Sequence, residues 1–252
     1  MNSMKKLFAM VLVLMMLMAS AAHADGDKLI VGASCDFPPY EYYDGEDIVG
    51  IEVEMLQVIA ERLNLEFEIQ DMAFDSIIAA VTSGKVDVGM SGFTVTEERK
   101  LSVDFTISYT KAKQSVVVPA EGSQINDVED LYAEGATFAV GVQNSTTGDL
   151  YITHDVETMG LLLDIQRFIK YPDAINALKS GKLECVILDD QVAKAFVAEN
   201  PDLKMLDTAY ADEDYAMCLA KDNPLTEQIN AVLEEMLEDG TMQVIIDKYI
   251  SE

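Results

Sequence analysis

The sequence contains little histidine and cysteine, and each shortage excludes a kind of site. Its 252 residues include two histidines, three cysteines and no tryptophan. His154 is the one histidine beyond the N-terminal segment, which excludes a histidine-rich metal site. Cys35, Cys185 and Cys218 lack the C-x-x-C spacing of a metal or redox site, and their odd number allows at most one disulfide in an oxidising compartment. Their apolar neighbours predict buried, inert thiols.

Positive charge is also scarce, which bears on possible partners. The chain has 17 lysines and arginines against 45 aspartates and glutamates, for a formal net charge of −28. Such a chain is repelled by nucleic acid and by anionic lipid, so neither is an expected partner. Half of the residues are hydrophobic, which excludes an acidic disordered tail. The acidity either only keeps the protein soluble or also attracts cationic ligands.

Only one long hydrophobic run is present, and it lies at the N-terminus. Lys5 and Lys6 precede a nearly unbroken apolar stretch at 7–22, which Ala22-His23-Ala24 closes. This order is typical of a cleaved secretory signal peptide over residues 1–24. The alternative, an uncleaved anchor, needs about 20 apolar residues. Cleavage removes two lysines and no acid, leaving 252 − 24 = 228 residues and a charge of −28 − 2 = −30. A periplasmic or extracellular protein is expected.

The mature chain repeats one order of predicted elements, which indicates an α/β fold. Strand, helix, strand, helix and strand are predicted at 29–34, 49–63, 66–69, 74–82 and 86–90, and again at 137–142, 149 onward, 165–169, 172–178 and 183–188. The octapeptide at 80–87 (AVTSGKVD) is echoed by the one at 177–184 (ALKSGKLE), 177 − 80 = 97 residues later. We therefore expect two lobes, each a mostly parallel sheet flanked by helices.

Two extended segments are expected to join the lobes. Residues 109–118 and 210–219 both look extended, and the chain ends with helical patterns at 225–237 and 242–249. If those last helices pack on the first lobe, the chain crosses twice and forms a hinge near 109–113 and 209–214. Lobe I would comprise residues 25–110 plus 213–252, and lobe II residues 111–212 including the hinge strands. Ligands bind beyond the carboxyl ends of strands in such sheets, here in the cleft between the lobes.

Candidate ligand-binding residues of the first lobe follow its predicted strands. Arg99 lies in the first turn of a helix beginning near Thr96, where a cation opposes the helix dipole unless an anion faces it. Its guanidinium can hold a carboxylate through two hydrogen bonds. The alternative for Arg99 is a surface pair with a neighbouring glutamate. The aromatic residues among the candidates would form an apolar wall, or lie in the core. The first-lobe candidates are Ser34, Asp36, Phe37, Phe74, Ser91, Gly92, Thr94 and Arg99.

The second lobe supplies polar groups at two predicted strand ends. Gln143, Thr146 and Thr147 end a strand and open a helix, and a helix N-terminus binds anions. Asp189 and Asp190 follow another strand, where one carboxylate suits an ammonium group and one could instead cap the next helix. A carboxylate clamp, an ammonium acceptor and an aromatic wall together fit the zwitterionic backbone of an amino acid.

Several motifs resemble the periplasmic binding proteins of polar amino-acid ABC transporters, the family 3 solute-binding proteins. They are Phe37-Pro38-Pro39-Tyr40-Glu41, the segments 49–54, 91–99, 103–106 and 141–148, and the closing Asp239-Gly240-Thr241. The resemblance covers essentially the whole mature chain. It implies the type II periplasmic-binding fold and a monomer that binds a free L-amino acid and delivers it to a membrane permease. No metal or cofactor is implied.

The resemblance also implies residue roles. Arg99 corresponds to the clamp for the ligand's α-carboxylate, with help from Thr94 and the backbone of the second-lobe threonines. Asp190 corresponds to the α-ammonium partner, and Phe37 and Phe74 to rings that enclose the ligand side chain. Members that bind cationic amino acids often have aspartate where this chain has Ser34. A neutral polar or broad ligand range is therefore expected, with Asp36 as a possible partner for a cation and Gln143 for a polar side chain.

Two rival functions use the same architecture. One is a periplasmic dehydratase acting on cyclohexadienyl acids such as arogenate, which needs a general acid in the cleft, and Asp36 or Asp189 could supply it. The other is a sensory module that presents an amino acid to a receptor. The sequence favours a binding protein without enzymatic activity.

Overall fold

Two large β-sheets with flanking helices and a small third sheet of three strands make up the computed structural model, which describes residues 28–250. The elements of the first part of the chain are β1 (Lys28–Ala33), β2 (Asp36–Phe37), β3 (Glu41–Asp44), β4 (Asp47–Val49), α1 (Ile51–Leu63), β5 (Glu66–Asp71), α2 (Phe74–Thr82), β6 (Val88–Gly89), α3 (Glu97–Lys100) and β7 (Val103–Phe105). Those of the second part are β8 (Thr110–Pro119), a 3-10 helix (Val128–Tyr132), β9 (Ala139–Gln143), α4 (Thr147–Met159), β10 (Asp164–Phe168), α5 (Tyr171–Lys179), β11 (Cys185–Asp189), α6 (Asp190–Glu199) and β12 (Leu203–Met205). The chain then continues through β13 (Ala211–Tyr215), β14 (Cys218–Ala220), α7 (Leu225–Glu238) and α8 (Thr241–Tyr249). The predicted signal peptide lies outside the described residues.

The two sheets share one plan, and the predicted two-lobed α/β fold is confirmed. The first has the strand order β5-β1-β6-β14-β7, and the second β10-β9-β11-β8-β12 with β13 paired to β8. In the first sheet β5, β1 and β6 run parallel and β14 runs antiparallel to β6. In the second sheet β10, β9 and β11 run parallel and β8 runs antiparallel to β11. The carboxyl ends of β1, β5 and β6 and of β9, β10 and β11 therefore project into loops that can meet in one cleft.

The repeated octapeptide forms the same structure twice. Gly84 and Gly181 both have φ of +71°, and each ends a helix before a strand. Asp87 accepts a hydrogen bond from the N–H of Ile30 at 2.8 Å, and Glu184 accepts one from the N–H of Ala139 at 2.6 Å. In both lobes an acid thus links the start of one strand, β6 or β11, to the neighbouring parallel strand, β1 or β9. The sequence echo has a common structural cause in both lobes.

The crossings between lobes are made by β8 and β13, which pair antiparallel over Thr110–Gln114 and Ala211–Tyr215. The first sheet takes its strands from residues 28–105 and 218–220, and the second from residues 110–215. Both predicted lobe boundaries, at 110/111 and 212/213, fall within these hinge strands. Their exact positions stay a prediction, because paired strands give no sharp division.

Two smaller predictions are confirmed, one for the cysteines and one for Pro172. The three cysteines are buried and unpaired. Pro172 lies in the first turn of α5, as its missing N–H requires. The strand β6 covers only Val88–Gly89 of the expected 86–90, and the single extended segment expected at 210–219 is two strands, β13 and β14. No helix within residues 28–250 has the length and apolar character to cross a bilayer.

Gly50 lies where the start of α1 packs closely against the backbone of Pro39 and Tyr40. The first α1 amides donate to the carbonyls of Pro39 and Tyr40, and a Cβ on Gly50 would lie 2.1 Å from the Tyr40 carbonyl oxygen. Gly50→Ala should lower the free energy of unfolding by on the order of 3 kcal/mol. Gly84→Ala is the matched control, with positive φ but nothing within 4 Å of the added carbon, and should lower it by about 1 kcal/mol. Urea unfolding measures both, and equal losses would contradict the steric account.

Candidate functional site

A cavity of about 330 Å³ lies between the lobes. Ten of the twelve predicted site residues line it, and Asp36 and Asp190 do not. Gln114, Tyr171 and Tyr215 complete the wall. That volume includes solvent-open space at the mouth of the cavity. The predicted residues that line the cavity are Ser34, Phe37, Phe74, Ser91, Gly92, Thr94, Arg99, Gln143, Thr146 and Thr147.

Arg99 is the single cationic side chain in this wall. Only 7% of its surface is exposed, and its guanidinium donates to the carbonyls of Thr94 at 2.9 Å and Ser145 at 3.0 Å. The guanidinium carbon lies 5.4 Å from the Phe74 ring centroid and 5.3 Å from that of Phe93. Burial lowers the pKa of Arg99, opposed by the charge of Glu213. Within residues 28–250 Arg99 has no ion-pair partner, and its remaining N–H donors can serve an anion.

The local fold aims Arg99 at the second lobe. The Thr96 hydroxyl caps α3 by accepting from the N–H of Arg99 at 3.2 Å, which sets the position of this first-turn residue. Opposite it, Thr146 caps α4, and its hydroxyl donates to the Gln143 carbonyl at 2.8 Å. The free amides at the start of α4 carry partial positive charge. Arg99 and the N-terminus of α4 together form an anion site that spans the lobes.

Aromatic rings form the apolar part of the wall. Phe37 stacks on Tyr40 and on Tyr171, with centroids 5.5 Å and 6.1 Å apart, and Phe74 stacks on Phe93 at 4.6 Å. Phe37 and Phe74 keep only 8% and 7% of their surface exposed. They belong to the cavity wall and to the core at once, so the two alternatives considered for them coincide.

The sequence reasoning missed three wall residues because of where they lie. Gln114 belongs to β8 and Tyr215 to β13, the two hinge strands, whose extended patterns carry no loop signal. Tyr171 begins α5, just beyond the carboxyl end of β10. The rule that ligands gather at strand ends applies to Tyr171 and could have identified it.

Asp190 does not lie where the family resemblance predicted. Its carboxylate pairs with Lys194 at 3.2 Å and accepts from the Gln191 side chain at 2.9 Å, outside the cavity. Asp189 is the buried one of the two. It caps α6 by accepting from the N–H of Gln191 at 3.0 Å, and it accepts a hydrogen bond from the Tyr215 hydroxyl. Burial raises the pKa of Asp189 to about 8. The strand-end carboxylate that reaches the cavity, through Tyr215, is therefore Asp189.

Asp36 also lies behind the wall and not in it. It accepts from the Ser34 hydroxyl at 2.6 Å and, across the cleft, from the N–H of Tyr171 at 3.0 Å. Burial raises the pKa of Asp36. The Ser34 hydroxyl stands between Asp36 and the cavity; its oxygen accepts from the Gln143 amide at 3.5 Å and keeps a second lone pair for a ligand.

This arrangement recurs around the cavity. Five acids sit one layer behind the wall, and each accepts a hydrogen bond from a wall residue. The pairs are Asp36 with Ser34, Glu41 with Ser91, Glu52 with the N–H of Gly92, Asp189 with Tyr215, and Glu213 with the Gln114 amide. All but Asp36 expose at most 6% of their surface. The wall therefore consists largely of polar groups backed by buried acids, and Arg99 and the N-terminus of α4 supply its positive charge.

The lobes touch along the rim of the cleft. Lys170 pairs with Asp71 at 3.3 Å, and the Asn144 amide donates to Asp75 at 2.7 Å. The bond from Arg99 to Ser145 also joins the lobes. These contacts define a closed arrangement of the two lobes.

The comparisons with known proteins agree with this geometry. The sequence matches the family described as bacterial extracellular solute-binding proteins, family 3, over residues 29–252. An arginine-binding extracellular protein, ArtP, of Bacillus subtilis is 33% identical over 92% of this chain and 89% of its own length. Holo ArgBP from T. maritima superposes with a TM-score of 0.77 at 40% identity, covering 89% of this chain and 96% of that one. An ancestral arginine-binding protein bound to glutamine gives 0.82 at 35%, covering 89% and 98%.

The difference between the two neighbouring aspartates can be measured. Asp189→Ala removes a helix cap and leaves the buried Tyr215 hydroxyl without an acceptor, so it should lower the free energy of unfolding by about 3 kcal/mol. Asp190→Ala removes only a half-exposed pair with Lys194 and should change it by less than about 1 kcal/mol. Urea unfolding of both variants at pH 6 is the measurement. A larger loss for Asp190→Ala would return the buried role to that residue.

Proposed function

The chain belongs to the bacterial extracellular solute-binding proteins of family 3, and from that premise we propose that it binds a free L-amino acid between its lobes and delivers it to the permease of an ABC transporter. The observation that carries this proposal is the buried, unpaired guanidinium of Arg99 facing the N-terminus of α4. A cation held this way without a carboxylate needs an anion that arrives with the ligand.

The ligand's α-carboxylate is the anion that fits. Arg99 holds it in a bidentate pair, and the Thr147 amide at the start of α4 adds a donor from the other lobe. Because the donors come from both lobes, the carboxylate stabilises the closed arrangement more than an open one. Ligand binding therefore drives closure about the β8–β13 hinge.

The α-ammonium group meets the acceptor side of the wall. The Thr94 hydroxyl, the carbonyls of Ser91 and Gly92, and the Tyr215 hydroxyl are the acceptors proposed for it. Asp189, behind Tyr215, takes the place that the family resemblance gave to Asp190; burial favours its neutral form, and an ammonium group in the cavity favours the charged form instead. Replacing a direct carboxylate contact with a hydroxyl keeps Asp189 buried while its field still favours an ammonium.

A cationic side chain suits the rest of the cavity, contrary to the neutral range expected from Ser34. The Ser34 hydroxyl is polarised by Asp36, so its oxygen is a strong acceptor. Phe37 and Phe74, whose rings already stack on neighbouring rings, add apolar wall for the aliphatic part of such a side chain. The arginine-binding relatives point the same way. We assign the ligand to the basic L-amino acids, arginine first.

Export follows from the same assignment. Residues 1–24 act as a cleaved signal peptide, and the mature protein works outside the cytoplasmic membrane as a monomer. Its acidic surface keeps it soluble and leaves the permease as its protein partner.

Binding without catalysis is the better reading of this cavity. Within residues 28–250 the wall contains no carboxyl or imidazole group, and the acids that a dehydratase would need as proton donors lie behind it. Absence of turnover with arogenate or prephenate would support this. A sensory role uses the same clamp, and no observation here favours it.

Arginine and citrulline, which have nearly the same shape, provide the test. Citrulline replaces the guanidinium with a neutral urea, so the mature protein, freed of carried-over ligand by unfolding and refolding, should bind arginine about 10- to 100-fold more tightly. Lysine and ornithine should lie between arginine and glutamine in affinity. Calorimetric titration gives these constants, and Arg99→Ala, which removes the carboxylate clamp, should abolish binding of all of them. Equal affinity for arginine and citrulline would contradict the cationic assignment. Absence of binding to all twenty amino acids would contradict the whole proposal.

Closure can be tested at the rim. Lys170→Ala breaks the pair with Asp71 that joins the lobes, so the open state gains population and arginine affinity should fall by about threefold. Lys179→Ala breaks a comparable surface pair with Asp202 inside lobe II and should leave affinity unchanged. Small-angle scattering should give a smaller radius of gyration with arginine than without. Identical scattering profiles would rule out ligand-driven closure.

A further inference from the structure

Two glutamates lie against each other beneath the first-lobe wall of the cavity. Glu41 and Glu52 both have 0% of their surface exposed. Glu41 follows the aromatic segment at the start of β3, and Glu52 lies in the first turn of α1. Within residues 28–250 neither has a lysine or arginine at ion-pair distance. Two buried carboxylates without a cation would repel each other strongly.

Their hydrogen bonds leave one oxygen of each carboxyl unused. Oε1 of Glu41 accepts from the Ser91 hydroxyl at 2.6 Å. Oε1 of Glu52 accepts from the N–H of Gly92 at 3.0 Å and from the Tyr109 hydroxyl. Oε2 of each is buried without an N–H or O–H partner. A proton between the two carboxyls would give one of these oxygens a donor and the other an acceptor role.

We propose that Glu41 and Glu52 share one proton at neutral pH, and that this protonated pair positions the Ser91–Gly92 segment against the ligand and ties it to the hinge. The inference rests on the proposed function for its link to affinity. The proton itself is argued from the complete burial of both groups, their contacts with the adjacent residues Ser91 and Gly92, and their two unpartnered oxygens. Glu41 carries it, and Glu52 stays ionised because the amide of Gly92 and the hydroxyl of Tyr109 both donate to it.

The surroundings of the pair favour one proton over none or two. Burial raises the pKa of both groups, and the charge of Glu52 raises that of Glu41 further. The other titratable groups near them are the Cys35 thiol and the Tyr40 and Tyr109 phenols, which are neutral at pH 7 because burial raises the pKa of each. Nothing in this shell supplies a positive charge to replace the proton.

The pair connects the binding loop to the hinge. Ser91 and Gly92 line the cavity, and Gly92 has φ of +54° with the Phe37 ring directly beside it, so the loop has one tight position. Tyr109 stands at the start of the first crossing, and its N–H donates to the Tyr215 carbonyl of the second crossing at 3.0 Å. A break between the glutamates would free the loop and the hinge together.

Glutamine substitutions test for the shared proton, because an amide replaces a protonated carboxyl with a fixed donor and acceptor. In Glu41→Gln the new NH₂ donates to Glu52, and in Glu52→Gln it donates to Glu41, so each single variant keeps one donor between the groups. In the double variant two NH₂ groups face each other. At pH 6 each single variant should bind arginine within about threefold of wild type. The double variant should lose at least about 30-fold, far more than the product of the two single effects.

Raising the pH provides the second arm. A carboxyl whose folded pKa is raised contributes stability that is present below its unfolded pKa, near 4.5, and is lost as the pH rises through the folded value. Wild type should therefore lose arginine affinity and melting temperature as the pH rises toward 9. Both single variants, which have no shared proton to lose, should lose less over the same range. Subtracting each variant's pH profile from that of wild type removes the contribution of the other acids, because all the proteins share them.

The outcomes separate this inference from the proposed function. If wild type binds no amino acid, the function fails, and melting temperatures across the four proteins still decide the proton. Additive single and double effects on melting temperature, with parallel pH profiles, would overturn the shared proton. If the double variant does not fold, the pH profiles of the single variants decide. Differences from wild type that do not change with pH would then overturn the shared proton.

Discussion

The buried guanidinium of Arg99 is the interaction on which the rest of this structure depends. It lies beside the stacked pair of phenylalanine rings, with two of its donors on backbone carbonyls, one in each lobe. Burial disfavours its charge, and no carboxylate of the described chain pays that penalty by pairing with it. The bond to Ser145 exists only while the lobes are closed. The same residue therefore makes closure possible and makes it dependent on an anion brought by the ligand.

Around this one cation the protein arranges acids without exposing them to the ligand. Asp36, Asp189 and Glu213 each polarise a wall group, and the Glu41–Glu52 pair does so through Ser91 and Gly92. A carboxylate in direct contact would give a ligand cation more Coulomb energy but would lose more hydration when the cleft closes. A hydroxyl with a carboxylate behind it keeps a negative field with a smaller penalty. The cavity can thus favour cations although its wall contains no acid.

The sequence was informative wherever a local rule fixed the outcome. Helix and strand periodicity, together with the repeated octapeptide, gave both lobes, because each copy has the same glycine end and the same acid clasp between strands. The position of Arg99 in a first turn gave the anion site, because it opposes the helix dipole. Asp189 and Asp190 could not be told apart, since a shift of one residue at a helix start decides which is the cap and which faces solvent.

Tertiary contacts decided the remainder. Gln114 and Tyr215 enter the cavity only because β8 and β13 pair at the hinge, a contact between residues about 100 positions apart in the chain that periodicity does not reveal. Asp36 was expected at the ligand, but the Tyr171 amide of the other lobe draws it behind the wall. That displacement also removes the conflict over specificity. Ser34 need not be an acid to serve a cationic ligand, because it displays the charge of an acid two residues away. In this chain a hydroxyl with a carboxyl group buried behind it stands where an exposed aspartate would otherwise be. The hydroxyl faces the ligand, and the electrostatic effect keeps the same sign.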